Sequence, residues 1–337
     1  MRAYHRRRVI GSIIHGKYRL DRLLGEGGMG SVYLARDLDA DRDVAVKVLT
    51  AYANESATVV ERFHRESKAA LSIDSPHIAR VFDAGTDTGG PFLVMEHLEG
   101  EDAGDLFARL HHLPPALALR IVGQACLGLT KAHETGIVHR DIKPANLFLS
   151  RANDGSVTVK IVDFGVAKML PIWSRRDVPP EVLTRTGAVL GSPLYMAPEQ
   201  ARGAKAVDPR SDVWSLGVVL YQALAAHAPN QEIEALGELI VTICTQAPRP
   251  VEESAPWISH SLAAIVRRAL RLDPAERFQS AEAMLEALRA ELGEDLAIHE
   301  SMLVRLDADD RIATFELPEP APSTVREPRR GATTDDA

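Results

Sequence analysis

Two periods of hydrophobicity divide the chain. Between residues 18 and 98 apolar positions mostly alternate with polar ones, the two-residue repeat of half-buried strands. Strands are predicted over Tyr18–Leu24, Val32–Ala35, Val44–Leu49, Ile78–Phe82 and Pro91–Glu96. In Val44–Leu49, Ala45 and Lys47 share one face, and Val44, Val46 and Val48 share the other. The exception is Thr58–Ile73, where Val59, Phe63, Ala70 and Leu71 trace a helical stripe and the acid Glu66 falls on it. An inward carboxylate needs a cation, and Lys47 is the candidate. Beyond Gly100 the pattern becomes helical. Ala116–Glu134 is a long apolar helix, a second very apolar one runs from the Asp208–Gly217 region through Leu224, and Ser280–Leu292 is the last, with Met284, Leu285 and Leu288 on one face. Residues 1–17 read as a basic extension carrying Arg2, Arg6, Arg7 and Arg8, and 293–337 as an acidic, Pro-containing tail, largely disordered. Within that tail Met302, Leu303 and Val304 are apolar enough to dock on the body.

Composition narrows the classes. The 337 residues are 45% hydrophobic, enough for one large domain or two lobes sharing a cleft. Of the net charge of −8, the part beyond Gly293 holds 11 acids against five Arg, so the rest is nearly neutral. That argues against nucleic acid as a partner. No stretch approaches 18 uninterrupted apolar residues, so no membrane span and no export signal are expected. Cys126 and Cys244 are too few for a disulfide framework or a zinc site and fit a reducing, cytoplasmic setting.

The chemistry concentrates in His139-Arg140-Asp141-Ile142-Lys143-Pro144-Ala145-Asn146 and Val162-Asp163-Phe164-Gly165. Asp141 can accept a proton from an attacking hydroxyl, and Lys143 can neutralise charge growing on a transferred phosphoryl group. Asn146 and Asp163 are hard oxygen donors of the kind Mg²⁺ takes beside phosphates. Upstream, Gly25-Glu26-Gly27-Gly28-Met29-Gly30-Ser31-Val32 follows a strand. Such glycines also open dinucleotide sites, but there a helix follows. Here a second strand follows, so the glycines bend a hairpin whose N–H groups can approach phosphates without a Cβ in the way.

These motifs resemble protein kinases: H-R-D-x-K-x-x-N and D-F-G, a Gly-rich loop, and Met196-Ala197-Pro198-Glu199. The Lys two places after Asp141 and the wording Met-Ala-Pro-Glu-Gln resemble the bacterial eukaryotic-like Ser/Thr kinases. The resemblance spans 18–292 and implies an α+β, bilobal fold: a small antiparallel sheet lobe with one main helix (18–98) and a larger, mainly helical lobe (99–292). It implies a nucleotide site of Leu24, Gly25, Glu26, Gly27, Gly28, Met29, Gly30, Ser31, Val32, Ala45, Lys47, Glu66, Glu96 and Leu98, with Glu96–Gly100 as the hinge and Met95 as gatekeeper. Asp141 and Lys143 would be catalytic, and Asn146 and Asp163 would bind Mg²⁺, or Mn²⁺ in its place. ATP would give its γ-phosphoryl to Ser or Thr hydroxyls of protein substrates. Thr184 and Thr186, in the segment resembling an activation loop, are the candidate regulatory phosphosites, and a transient homodimer would serve trans-autophosphorylation. The same resemblance has Asp212 cap the catalytic loop from below and Arg277 pair with Glu199. The family's G-x-x-P-F is Ala226-His227-Ala228-Pro229-Asn230 here, with Asn in place of a packing aromatic. The rival classes are a nucleotide-binding pseudokinase scaffold, which usually lacks a residue equivalent to Lys47, Asp141 or Asp163, and a small-molecule phosphotransferase, which lacks the Ala-Pro-Glu segment.

Overall fold

The computed structural model describes residues 10–27, 30–49, 71–88, 90–163, 193–203 and 207–304. Its first part is a six-stranded antiparallel sheet of β1 (Ile13–Ile14), β2 (Tyr18–Gly27), β3 (Gly30–Asp37), β4 (Arg42–Val48), β5 (Val81–Asp87) and β6 (Gly90–Glu96), ordered β1-β2-β3-β4-β6-β5. The alternation along β4 sorts as the period requires. Val44, Val46 and Val48 pack with Ile14, Tyr18, Leu20, Tyr33, Phe92 and Val94 on one face. Ala45 packs with Leu93 and Met95 on the other, against half-buried Val32. Lys47 lies on that second face, two residues along.

Glycine is required at position 30, where an added Cβ would stand 2.0 Å from the Val48 carbonyl oxygen. The β2–β3 hairpin can therefore lie flat against the start of the next loop only with no side chain there. The helix expected over Thr58–Ile73 lies outside the described residues apart from its last few positions, and Glu66 with it.

The second part is built on α1 (Ala103–Leu110), α2 (Pro115–Glu134), α3 (Pro198–Ala201), α4 (Arg210–Ala225), α5 (Leu236–Thr245), α6 (His260–Ala269) and α7 (Ala281–Leu292). The helix α4 is buried on nearly every side, which explains why its sequence is apolar all round rather than striped. Around α2 and α4 forms one continuous core that includes Leu119, Ile121, Leu129, Val213, Leu216 and Leu220. A small sheet, β7 (Gly100–Asp102), β8 (Leu147–Arg151), β9 (Ser156–Ile161) and β10 (Ile298–His299), lies on α2 in the order β10-β9-β8-β7. The two parts meet where Ile78 pairs in parallel with Ile161 and Ala79 N donates to the Ile161 carbonyl at 2.9 Å. Spending those groups on β9 is why β5 starts at Val81, three residues later than its apolar run predicts.

Both predicted borders of the body shift. Residues 10–17 are not a loose extension: β1 pairs with β2 and Ile14 is fully buried. The chain after Leu292 is not loose either, since Leu296, Ile298 and Leu303 enter the large core. The resemblance spans 18–292, and just outside each end a few apolar side chains find a seat that only the folded body provides. Among the described residues no helix is long and apolar enough to cross a membrane.

Candidate active site

The site is assembled at the junction between α2, the β8–β9 hairpin and the small sheet. After α2 the chain turns at Gly136 (φ 79°) and runs through His139–Asn146 before entering β8. Arg140 holds φ 65°, and Asp163 φ 58°, a region that L-residues occupy only when their surroundings impose it. For Arg140 the imposing groups are visible. The fully buried Asp212, from the first turn of α4, accepts from His139 N and Arg140 N at 2.8 Å each. Gln200 Nε2 donates to the Arg140 carbonyl at 3.0 Å, and Gln200 Oε1 accepts from Ala197 N at 3.1 Å. Thus the chain's Ala-Pro-Glu-Gln segment grips the strained residue just before Asp141.

His139 fixes the other side. Its Nδ1 accepts from Asp141 N at 3.2 Å, so the proton belongs on Nε2, which lies 3.2 Å from the Val162 carbonyl and donates to it. Burial pushes its pKa below the ordinary imidazole value, although Asp212 and Asp141 pull the other way. The neutral ring therefore links the loop bearing Asp141 to the segment bearing Asp163. Because the folded value is depressed, this contribution is complete above about pH 6.5 and fades as pH falls below it. We expect the melting temperature of the chain to drop on acidification through that range, and less steeply in His139→Phe; parallel slopes would remove His139 as the cause.

Five of the residues singled out in the sequence converge. Lys143 Nζ lies 3.1 Å from Asp141 Oδ2. Asn146 Nδ2 donates to the Asp141 carbonyl at 2.8 Å and approaches its carboxylate at 3.4 Å. Since both of those partners are acceptors, the amide end facing them must be the NH₂, which leaves the amide oxygen as the donor atom available to a cation. Asn146 O in turn accepts from Val162 N at 3.0 Å, next to Asp163. Across the cleft, Lys47 Nζ of β4 pairs with Asp163 Oδ2 at 2.7 Å. Ala45, Val32 and Met95 line the same face of the six-stranded sheet as Lys47, an apolar bed for a flat ring.

Glu96 ends β6 with its N–H and side chain committed to protein. Its N–H donates to Arg80 O at 2.9 Å, and its carboxylate accepts from Arg80 N at 2.8 Å and from Lys160 Nζ at 2.7 Å. Leu98 is half-buried beyond it, while Leu24, Gly25 and Glu26 are exposed and Ser31 is buried. Gly28, Met29, Glu66, Thr184 and Thr186 lie outside the described residues. Among the described residues no three His, Cys, Asp or Glu gather as a metal cluster. Asn146 and Asp163 provide two hard oxygens close to a lysine, a donor set that suits Mg²⁺ or Mn²⁺ only when phosphate oxygens complete the shell.

Sequence reasoning missed three contributors. His133 carries no motif of its own, but its Nε2 lies 2.8 Å from Asp212 Oδ2. Gln200 is legible only as part of the Met-Ala-Pro-Glu-Gln wording and Lys160 not at all, because their partners are 60 and 64 residues away. A polar side chain at the end of an otherwise apolar helix was the one available signal for His133.

An antiparallel sheet over a helical lobe, with lysines, carboxylates and an amide gathered between them, is the architecture of the protein kinase class. The chain belongs to that family: the protein kinase domain family matches residues 18–288. Its relatives include serine/threonine-protein kinase pkn3 of Myxococcus xanthus, 38% identical over 83% of this chain and 51% of the relative. Serine/threonine-protein kinase PknB of Mycobacterium leprae is 39% identical over 80% of this chain and 42% of the relative. The chain thus spans about half the length, or less, of these curated relatives. The crystal structure of the Mycobacterium tuberculosis PknI kinase domain superposes with a TM-score of 0.65 at 29% identity, covering 84% of this chain and 99% of that one.

Proposed function

We propose that this chain is a serine/threonine protein kinase that transfers the γ-phosphoryl of Mg–ATP to Ser or Thr hydroxyls of proteins. The observation that carries the reading is the convergence of Lys47, Asp141, Lys143, Asn146 and Asp163, from positions up to 116 residues apart, into two ion pairs, with the Asn146 amide against Asp141 and its backbone carbonyl bonded to Val162 beside Asp163. Lysine–carboxylate contacts at both walls of the cleft are what phosphates and a divalent cation would exchange into. When bound, Mg–ATP supplies the phosphoryl group and the leaving ADP. Asp141 accepts the proton of the acceptor hydroxyl as its oxygen bonds to phosphorus and the bond to the bridging oxygen breaks. Lys143 offsets charge on the transferred group, and Lys47 holds the phosphates that stay with ADP. Asn146 and Asp163 hold the cation, and Val32, Ala45 and Met95 bed the adenine beside the Glu96–Leu98 hinge. By the family resemblance Glu66 is the acid that partners Lys47, and Thr184 or Thr186 receives phosphate in trans within a transient dimer. The acceptor is protein rather than nucleic acid, and the reducing cytoplasm, where ATP is available, is the compartment. The kinase body extends from the β1 segment past Leu292.

The test is mass spectrometry of the purified chain before and after Mg–ATP, with a generic basic protein as acceptor. Phosphoserine or phosphothreonine on either supports the reading. Nucleotide binding without transfer would make the chain a scaffold, and phosphate only on a small alcohol would make it a small-molecule kinase. Lys47→Met should lower turnover by about a hundredfold or more, the usual size for removing one preorganised charge at a reacting phosphoryl group. Because Lys47 is 16% exposed and not part of the core, its melting temperature should change little.

A further inference from the structure

Residues 294–304 lie beyond the family match, which ends at 288, yet the large lobe carries a seat built for them. The strand β10 pairs with β9, Ile298 opposite Val157 and His299 opposite Ser156. Leu296, Ile298 and Leu303 are 9%, 1% and 4% exposed. On α2, Gly123 leaves room for Leu296, whose Cδ2 would stand 2.9 Å from an added Cβ. The next residue, Gln124, is buried, and its amide is divided between two elements. Its Nε2 donates to Leu296 O at 2.8 Å, and its Oε1 accepts from Val159 N of β9 at 2.7 Å. At the far end, Arg109 of α1 donates through NH1 to Leu303 O at 2.8 Å and through NH2 to Glu101 of β7 at 2.7 Å. Glu300 N donates to Gly155 O at 3.0 Å, and Arg120 and Arg151 face Asp295 and Glu300 at 3.6 and 3.5 Å.

The seat is connected to the site. The strand β9, held by β10 and Gln124, runs into Val162, whose N–H is fixed by Asn146 O and whose carbonyl is fixed by His139, and then into Asp163. Arg109 ties the strap's other end to β7, the strand that follows the hinge. We propose that residues 294–304 are an integral strap that positions the strand delivering Asp163 and the hinge exit for nucleotide. This rests on the reading of the cleft as a Mg–ATP site, and it makes the strap a positioning segment, not a catalytic one. The strap grips the start of β9 at Ser156 and Val157, and Gln124 joins it to Val159, while β8 and the Ile78–Ala79 segment hold the end that leads to Asp163. Releasing the strap would open one edge of the strand and leave those supports alone to place Asp163.

The test uses the full chain and three variants: Ile298→Asp, Gln124→Met, and Ile298→Ala should the aspartate variant fail to fold. Hydrogen exchange is followed in 294–304 and 156–163, with Mg–ATP affinity measured by binding titration well below the melting temperature. In the unaltered chain the strap amides should be protected. Ile298→Asp should speed exchange in both segments by at least about tenfold, the mark of a local opening. It should also weaken Mg–ATP binding by about fivefold or more, the usual scale of coupling between two sites. Gln124→Met should move both readouts the same way and less far. Unprotected strap amides in the unaltered chain, or a released strap with unchanged nucleotide affinity, would overturn the proposal. Both readouts are binding or exchange measurements, so a chain that binds Mg–ATP but transfers no phosphate would sink the kinase reading and leave the strap tested.

Discussion

Asp141→Asn should lose at least about a hundredfold in turnover while binding Mg–ATP and melting as the unaltered chain does, the size expected for a positioned general base. The substitution keeps the shape of the side chain and removes only its ability to take a proton. What holds the residue in place is untouched: Arg140 is gripped by Asp212 and Gln200, and Asp141 N donates to His139. The negative charge that leaves with the proton-accepting ability deprives Lys143 of its counter-ion, but the asparagine oxygen can still accept a hydrogen bond from Lys143 Nζ, which is 24% exposed and can be solvated. The split between binding and turnover distinguishes a chemical role from a structural one. Undiminished transfer by this variant, measured with the same acceptor protein, would remove Asp141 from the mechanism.

Arg277→Met should destabilise the chain by about 3–5 kcal/mol, the usual cost of leaving a buried charge without its partner. The Arg277 side chain is fully buried and all of its donor nitrogens are engaged. NH1 and NH2 donate to Glu199 Oε1 and Oε2 at 2.8 and 2.9 Å, and Nε donates to Arg271 O at 2.7 Å. Further bonds reach Arg210 O and Leu272 O, and the guanidinium lies over Trp214 at 5.0 Å. Burial pushes the Glu199 carboxyl up, but the hydrogen bonds from Arg277 and Ser211 outweigh it and hold the pKa below the usual value. A depressed carboxyl stabilises the fold above the unfolded pKa of about 4.3 and loses that effect as pH falls. In Arg277→Met only the Ser211 and backbone hydrogen bonds still oppose burial, so the carboxyl rises from its value in the unaltered chain and that pH-dependent stabilisation shrinks. Melting curves of the two proteins should therefore converge on acidification below about pH 4.5. A gap independent of pH would show that the loss is packing against Trp214 rather than an orphaned carboxylate.

How much was legible depends on where each residue's partner sits. The run His139–Asn146 with Asp163 lies within 25 positions, so its chemistry was readable from spacing. The faces of β4 were readable too, because side chains in a strand alternate whatever the strand packs against. By contrast, Ile78 and Ala79 looked like strand residues and instead bond to Ile161, 83 and 82 residues on. His133 looked incidental until Asp212 arrived beside it from α4. The tail's Met302–Val304 looked able to dock, but Leu303 alone of the three is buried, while Val304 stays 55% exposed. Nothing local distinguishes those two apolar neighbours.

From the sequence by itself came the class of elements, the two-part division, the contents of the cleft and the family resemblance, because periodicity and contiguous motifs are properties of neighbouring residues. The resemblance also carried the Asp212 cap on the catalytic loop. Only the tertiary structure decided that β1 and the 294–304 strap belong to the body, that Gln200 grips the Arg140 carbonyl, and that Glu96 is tied to Lys160. Those outcomes depend on hydrogen bonds and buried contacts between segments tens to hundreds of residues apart. Their energies exist only once the intervening chain has folded and brought both partners out of water.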